Sequence, residues 1–309
     1  MAQPGLPILI AGPTATGKSE IALHLAAQIG GEIISADSMQ VYRGLDIGTA
    51  KSSRADRARV PHHLIDILNL TESFDAAQFA RLAHRLAAEI QSRGHVPILC
   101  GGTGFYFRAF LEGLGEAPPA EAKLRAELEV APRESLLAEL KARDPAAYEN
   151  IDKKNPRRVI RALEVIRLTG KPFSEVQSPK PKVQGPEPEL FCFTRSADDL
   201  RQRIDARVDA MFARGLVDET RELLQHGLAE NRTAMQAIGY RQVVEHLRGE
   251  RSLSETIELV KIRTRQFAKR QLTWFHARKN VEWIELKPDD HPGKWLPDIS
   301  RAIQERSRR

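Results

Sequence analysis

Eight residues near the amino end, Gly12-Pro13-Thr14-Ala15-Thr16-Gly17-Lys18-Ser19, have the types and spacing needed to grip phosphate. They fit the pattern of a glycine, four residues of any type, and then Gly-Lys-Ser or Gly-Lys-Thr. Glycines let the backbone curl until successive N–H groups point inward at phosphate oxygens. The helix that follows adds the positive end of its dipole. Lys18 supplies a full charge, and the Ser19 hydroxyl can ligate Mg²⁺. The pattern predicts a diphosphate or triphosphate site without naming the ligand. A GTPase would read guanine through an Asn-Lys-x-Asp segment, and the chain has none. A nucleotide-hydrolysing site commonly has a strand ending in Asp beneath the metal, whereas the apolar run Val96–Cys100 ends in Gly101-Gly102. That favours a loop adapted to a different diphosphate. A nucleotide or small-molecule kinase and a non-catalytic RNA-binding ATPase stay open as alternatives.

Other residues could act beside such a loop. Asp37 follows an apolar run and is a candidate general base, metal support or helix cap. Thr103, within Gly-Gly-Thr-Gly, holds the corresponding place after another run, as a helix-capping hydroxyl or a substrate contact. Arg157, Arg158 and Arg161 lie on one helical face opposite Val159, Leu163 and Ile166, either as a solvated face or as contacts to a phosphate backbone. Arg203 and Arg207 are four apart, with Asp199 and Asp205 as possible partners on the same helix. Lys261, Arg265 and Lys269 form a stripe at helical spacing, with Ile257, Val260, Phe267 and Trp274 as the expected buried side. His62-His63 lies on an extended segment, which sends adjacent side chains to opposite faces and does not suit joint metal binding.

These residues need elements to position them. Leu6–Ala11, Glu32–Ala36, Val96–Cys100, Leu190–Phe193 and Val281–Leu286 read as strands. Lys18–Ile29 and Asp75–Arg93 read as amphipathic helices between them. The alternation predicts an α/β fold, a P-loop-NTPase-like parallel sheet core. From residue 116 to about 188 the pattern becomes helical and closes on a proline-rich stretch, Ser178–Pro188. The expected organisation is a core first part (1–115), a helical insertion (116–188) and a core second part (189–309). Asn155-Pro156 is a helix start, and Ser252-Leu253-Ser254-Glu255 fits a capping box opening a long helix to about Phe275. The polar tail beyond Pro288 is expected to fray.

Composition narrows the class. The chain has 309 residues, 41% hydrophobic and 28% charged, as for an ordinary globular protein. Its two cysteines, Cys100 and Cys192, sit in apolar runs and give neither a disulfide framework nor a cysteine zinc site. No apolar run approaches a membrane helix, and the short Leu6–Ala11 run lacks the basic flank of a secretory leader, so cytoplasm is the expected compartment. Lys plus Arg is 47 against 41 for Asp plus Glu, a net charge of +6. The excess gathers in Lys153–Lys171 and Lys261–Lys279, which suits a polyanionic partner.

Taken in order, the segments resemble the bacterial tRNA dimethylallyltransferase family. The resemblance rests on residues 12–19, Ile34-Ser35-Ala36-Asp37-Ser38-Met39-Gln40 and on to Lys51, Pro61–Asp66, Gly101–Tyr106, Asn155–Val165, Ala237–Gln242 and Thr264–Phe275. It implies an enzyme that moves a dimethylallyl group from dimethylallyl diphosphate to an adenine amine beside the anticodon of a tRNA. By that resemblance Gly12 to Ser19 hold the diphosphate with Mg²⁺ on Ser19, and Arg207 meets the leaving diphosphate. Asp37 is the base, with Thr103 and Lys18 as active-site partners, and Asp37-Ser38-Met39-Gln40 touch the target base. Arg125, Arg157, Arg158 and Arg161 meet the tRNA. A monomer is expected, and the apolar runs, all shorter than a membrane helix, predict no membrane association. Many relatives carry arginine where His276 stands, and no cysteines are available for the C-terminal zinc finger of eukaryotic relatives.

Overall fold

The computed structural model describes residues 6–115, 117–176 and 188–295, with 297 and 299. Six strands form one sheet: β1 (Ile8–Ala11), β2 (Gly31–Ala36), β3 (His62–His63), β4 (Val96–Gly101), β5 (Leu190–Thr194) and β6 (Val281–Glu285). Their order is β3-β2-β4-β1-β5-β6, and every pairing is parallel. β1 is buried along its whole length. A strand covered on both faces has no polar side to alternate with, which is why Ile8-Leu9-Ile10-Ala11 is a continuous apolar run.

Helices α1 (Lys18–Ile29), α2 (Arg54–Arg59), α3 (Ala76–Ser92) and α4 (Gly104–Glu112) follow in turn. Asp75 caps α3 and closes a capping box with Gln78. α1 has no such side chain. Its N-cap is Gly17 in the left-handed region, with no side-chain hydrogen bond. The first N–H groups of α1 are therefore not satisfied by a cap.

The chain divides into two compact units, Met1–Phe110 with Pro186–Arg309, and Leu111–Gly185. The second division falls within the proline-rich stretch, of which residues 178–187 lie outside the described residues. The smaller unit is helical: α5 (Ala122–Val130), α6 (Arg133–Arg143), α7 (Pro145–Asn150), α8 (Pro156–Thr169) and α9 (Phe173–Val176). Asn155 caps α8 with Pro156 in its first turn. Leu128, Leu136, Leu140, Val159, Leu163 and Ile166 make its core.

In the larger unit, α10 (Ala197–Ala213), α11 (Leu216–Gln225), α12 (Tyr240–Leu247) and α13 (Leu253–His276) follow β5. The Ser252 capping box opens α13 as the sequence predicts. Its buried side differs from expectation. Val260 is buried, but Phe267 and Trp274 are only half-buried, and Thr256, Ala268, Gln271 and Phe275 take the interior. The basic stripe is also less free than its spacing suggests, because Lys261 pairs with Asp209 and Arg265 with Asp205, both from α10. Within the tail, Trp295 packs on the core and Ile299 is fully buried, while residues 300–309 lie outside the described residues.

Candidate active site

The phosphate loop leaves β1 and enters α1 through an unusual backbone. Gly12, Ala15 and Gly17 all have positive φ, at 145°, 65° and 100°. At Gly12 a Cβ would stand 2.4 Å from the carbonyl oxygen of Phe193, so strand β5 admits no side chain there. Pro13's carbonyl accepts from the Thr16 hydroxyl at 2.9 Å and from Lys18 Nζ at 3.1 Å, closing the loop on itself. The helix edge, Lys18, Ser19, Arg203 and Arg207 bound a concave space of about 470 Å³. Lys18 and Arg207 both have lowered pKa values, chiefly from burial. At Lys18 the nearby Arg207 charge adds to the lowering, and Asp37 works against the shift at both. A dianionic group placed here would relieve that strain.

Asp37 is not immediately beside the phosphate loop. β4 separates β2 from β1, so one strand intervenes. Two hydrogen bonds of Thr103 join the Asp37 loop to the intervening loop after β4. Thr103 N–H donates to Ala36 O at 3.2 Å, and Thr103 Oγ1 accepts from Ser38 N–H at 3.2 Å. Thr103 thus ties the loop after β4 to the loop after β2 rather than capping α4. Asp37 Oδ1 accepts from Met39 N–H at 2.9 Å, which fixes the carboxylate over its own turn. Gln40 is engaged at both ends, accepting from Ser35 Oγ at 2.9 Å and donating to Thr49 O at 3.2 Å. Tyr106, stacked on Phe79 at 4.1 Å, stays protonated because burial and Asp37 raise its pKa.

Two buried residues without an assigned role in the sequence reading complete the arrangement. Gln271 of α13 accepts from Thr14 N–H at 2.9 Å and donates to Gly102 O at 2.8 Å, so one amide joins the phosphate loop to the β4 loop. The closeness explains the glycines: a Cβ on Gly102 would meet Gln271 Nε2 at 2.2 Å, and one on Gly104 would meet the Trp274 ring at 2.2 Å. Arg195, directly after β5, donates from Nε to Thr16 O at 2.8 Å. Asp199 pairs with Arg195, and Asp205 with Arg265, so neither neutralises Arg203 or Arg207 as their spacing had allowed. Gln271 lies inside the Thr264–Phe275 stretch, and Arg195 at the carboxyl end of a buried parallel strand. Position at such an edge was the one available signal for Arg195.

The remaining candidates sit in the helical unit. Arg157 and Arg158 are exposed on α8. Arg125 and Arg161 both bond Glu164, at 2.9 and 2.7 Å, and Glu164 is fully buried. Arg161 also donates to Pro118 O at 2.6 Å. His62 and His63 serve separate partners, Val60 O and Glu32. His276 stacks on Trp283 at 4.0 Å. Both cysteines are buried, with thiols pushed up to about 11 for Cys100 and about 12 for Cys192, chiefly by burial.

The parallel sheet, the glycine-rich loop between β1 and α1 and the acid at the end of β2, two strands away, define a P-loop-like fold. The sequence profile described as IPP transferase matches residues 40–279. The tRNA dimethylallyltransferase 1 of Trichlorobacter lovleyi is 48% identical over 90% of this chain and 92% of its own. That of Geobacillus thermodenitrificans is 43% identical over 96% and 95%. The crystal structure of the tRNA isopentenylpyrophosphate transferase from Bacillus halodurans superposes with a TM-score of 0.71 at 40% identity, covering 98% of both chains. A eukaryotic dimethylallyltransferase solved acting on tRNA gives 0.81 at 28% identity, over 96% of this chain and 77% of that one. The chain belongs to the IPP transferase family.

Proposed function

We infer that this protein is a tRNA dimethylallyltransferase that takes dimethylallyl diphosphate as donor and the exocyclic amine of an anticodon-loop adenine as acceptor. The observation that carries the reading is the stitching of the acid-bearing loop to the phosphate loop through Thr103 and Gln271. The amine's lone pair is delocalised into the ring, so the reaction leans on a stabilised leaving group. Backbone N–H groups of Ala15 to Ser19, together with Lys18 and Arg207, neutralise the departing diphosphate. The allylic carbon tolerates positive charge, and the amine need only be held close and in line. Asp37 accepts the proton, with Thr103 fixing its loop. Ser38, Met39 and Gln40 frame the base, and extrusion from the stack brings it in.

Ser19 is exposed along the cavity edge and offers one hydroxyl oxygen. Among the described residues no group of three or more His, Cys, Asp or Glu could hold a metal. That donor set fits Mg²⁺, which commonly takes few protein ligands alongside phosphate oxygens. Bound there, it would supply charge neutralisation of the diphosphate. Arg157, Arg158, Arg161 and Arg125 supply cationic contacts to the tRNA. No helix among the described residues is long and apolar enough to cross a membrane, and we propose a cytoplasmic monomer.

Mass spectrometry of tRNA nucleosides after incubation with dimethylallyl diphosphate, Mg²⁺ and the protein tests the reading. Prenylated adenosine is expected. Consumption of ATP with the isoprenoid and the RNA both unchanged would sink it.

A further inference from the structure

We propose that Arg195 is a positioning residue for the leaving group, acting through the backbone of the phosphate loop and not by touching substrate. The inference rests on reading that loop as the diphosphate site. Arg195 is 8% exposed, although it carries a full charge. Its guanidinium makes three bonds: Nε to Thr16 O at 2.8 Å, and Nη1 to Asp199 Oδ2 at 2.8 Å and to Lys287 O at 3.2 Å. The carboxylate and the Lys287 carbonyl hold the fork in place, so Nε presents a fixed donor to Thr16. Arg203 does the same one residue earlier, with Nε donating to Ala15 O at 2.9 Å. Both Nη2 groups also approach Gly17, to 3.8 and 3.9 Å from where its Cβ would be.

A trans peptide points its N–H and C=O in opposite directions. Anchoring the Ala15 and Thr16 carbonyls therefore sets where the N–H groups of Thr16 and Gly17 point. Those are the loop's last two donors before α1. The anchors are needed because the local backbone is unfavourable. Ala15 sits at φ 65° without being glycine, and Gly17 at φ 100° is free to rotate. Without Arg195, the Thr16–Gly17 peptide can turn over. A carbonyl oxygen would then face the diphosphate where a donor had been, which replaces attraction with repulsion. A buried fork with three fixed acceptors is a task for arginine, and lysine cannot reproduce it.

The test measures inorganic pyrophosphate affinity, with Mg²⁺, for the wild-type chain and for Arg195→Lys, Asp199→Asn and Lys18→Ala. Thermal stability, tRNA affinity, and the donor's KM and kcat are read in parallel. Arg195→Lys is expected to weaken pyrophosphate about 10-fold, the equivalent of about 1.4 kcal/mol, and to raise the donor's KM in step. Its tRNA affinity should stay within about twofold of wild type, a change that small being one a general loss of structure would not leave. Asp199→Asn keeps the guanidinium and loosens its anchor, so it should fall between wild type and Arg195→Lys even if the lysine variant folds poorly. Wild-type pyrophosphate affinity in both variants would overturn the inference, as would equal losses for pyrophosphate and tRNA. If the wild-type chain bound pyrophosphate no better than Lys18→Ala, the loop's assignment itself would fall.

Discussion

Replacing Gln271 by alanine tests whether α13 holds the site together. The side chain is 7% exposed, and its amide is the shared partner of Thr14 N–H and Gly102 O. Truncation leaves a buried donor and a buried acceptor unsatisfied, at about 1–3 kcal/mol each. Water entering the space would recover part of that, giving a net loss of about 2–4 kcal/mol. For a unit of this size the loss corresponds to a fall in Tm of roughly 5–10 °C. All three tryptophans, Trp274, Trp283 and Trp295, belong to the larger unit, so their fluorescence follows the transition of that unit alone. The same variant frees the phosphate loop from the β4 loop, and kcat/KM for the donor should drop about 10-fold or more. Gln271→Glu keeps an acceptor for Thr14 but sets oxygen against the Gly102 carbonyl, so it should not restore stability. A Gln271→Ala protein melting within about 1 °C of wild type, with unchanged turnover, would refute the reasoning, since 1 °C is below half a kcal/mol here.

Asp37→Ala should lower kcat by about 10²–10⁴-fold, as for a lost general base, while tRNA affinity changes little; near-normal turnover in a single-turnover assay would remove Asp37 from that role. Changing Arg157 and Arg158 together to glutamine should flatten the salt dependence of tRNA binding by roughly 1.4 to 1.8 in log–log slope, and an identical slope would return both to the solvated surface. Glu32 is buried against His63, Arg93 and His95; burial alone would raise its pKa, but these hydrogen bonds outweigh it and hold the carboxyl at about 2. Its folded pKa lies below the ordinary value of 4.5, so the stability it adds is complete above that value and is lost as the pH falls toward about 2. Denaturant melts across that window should show a loss of about 2–3 kcal/mol in wild type that is absent from Glu32→Gln, and parallel curves would refute the assignment.

The parts legible from sequence were those whose cause is local. Gly12 to Ser19 is a contiguous device, so its residues predict their own geometry. Asp75 with Gln78, Asn155 with Pro156, and Ser252 with Glu255 announce helix starts because a cap and its target lie three residues apart. The buried apolar runs of β1, β2, β4 and β5 gave the parallel sheet. Tertiary structure alone decided what the polar residues do. Gln271 reaches a loop 257 residues away and Arg195 one 179 residues away, and no spacing pattern encodes a partner at that distance. The spacing of the basic stripe on α13 cannot show that Asp209 and Asp205, on another helix, pair with Lys261 and Arg265. Likewise α13 buries Gln271 and Phe275 more deeply than Phe267 and Trp274, and the bare backbone at Gly102 and Gly104 makes room for the Gln271 amide and the Trp274 ring. A chain fixes its periodicities and caps through near neighbours; a buried polar group is satisfied only by whatever the fold brings to it.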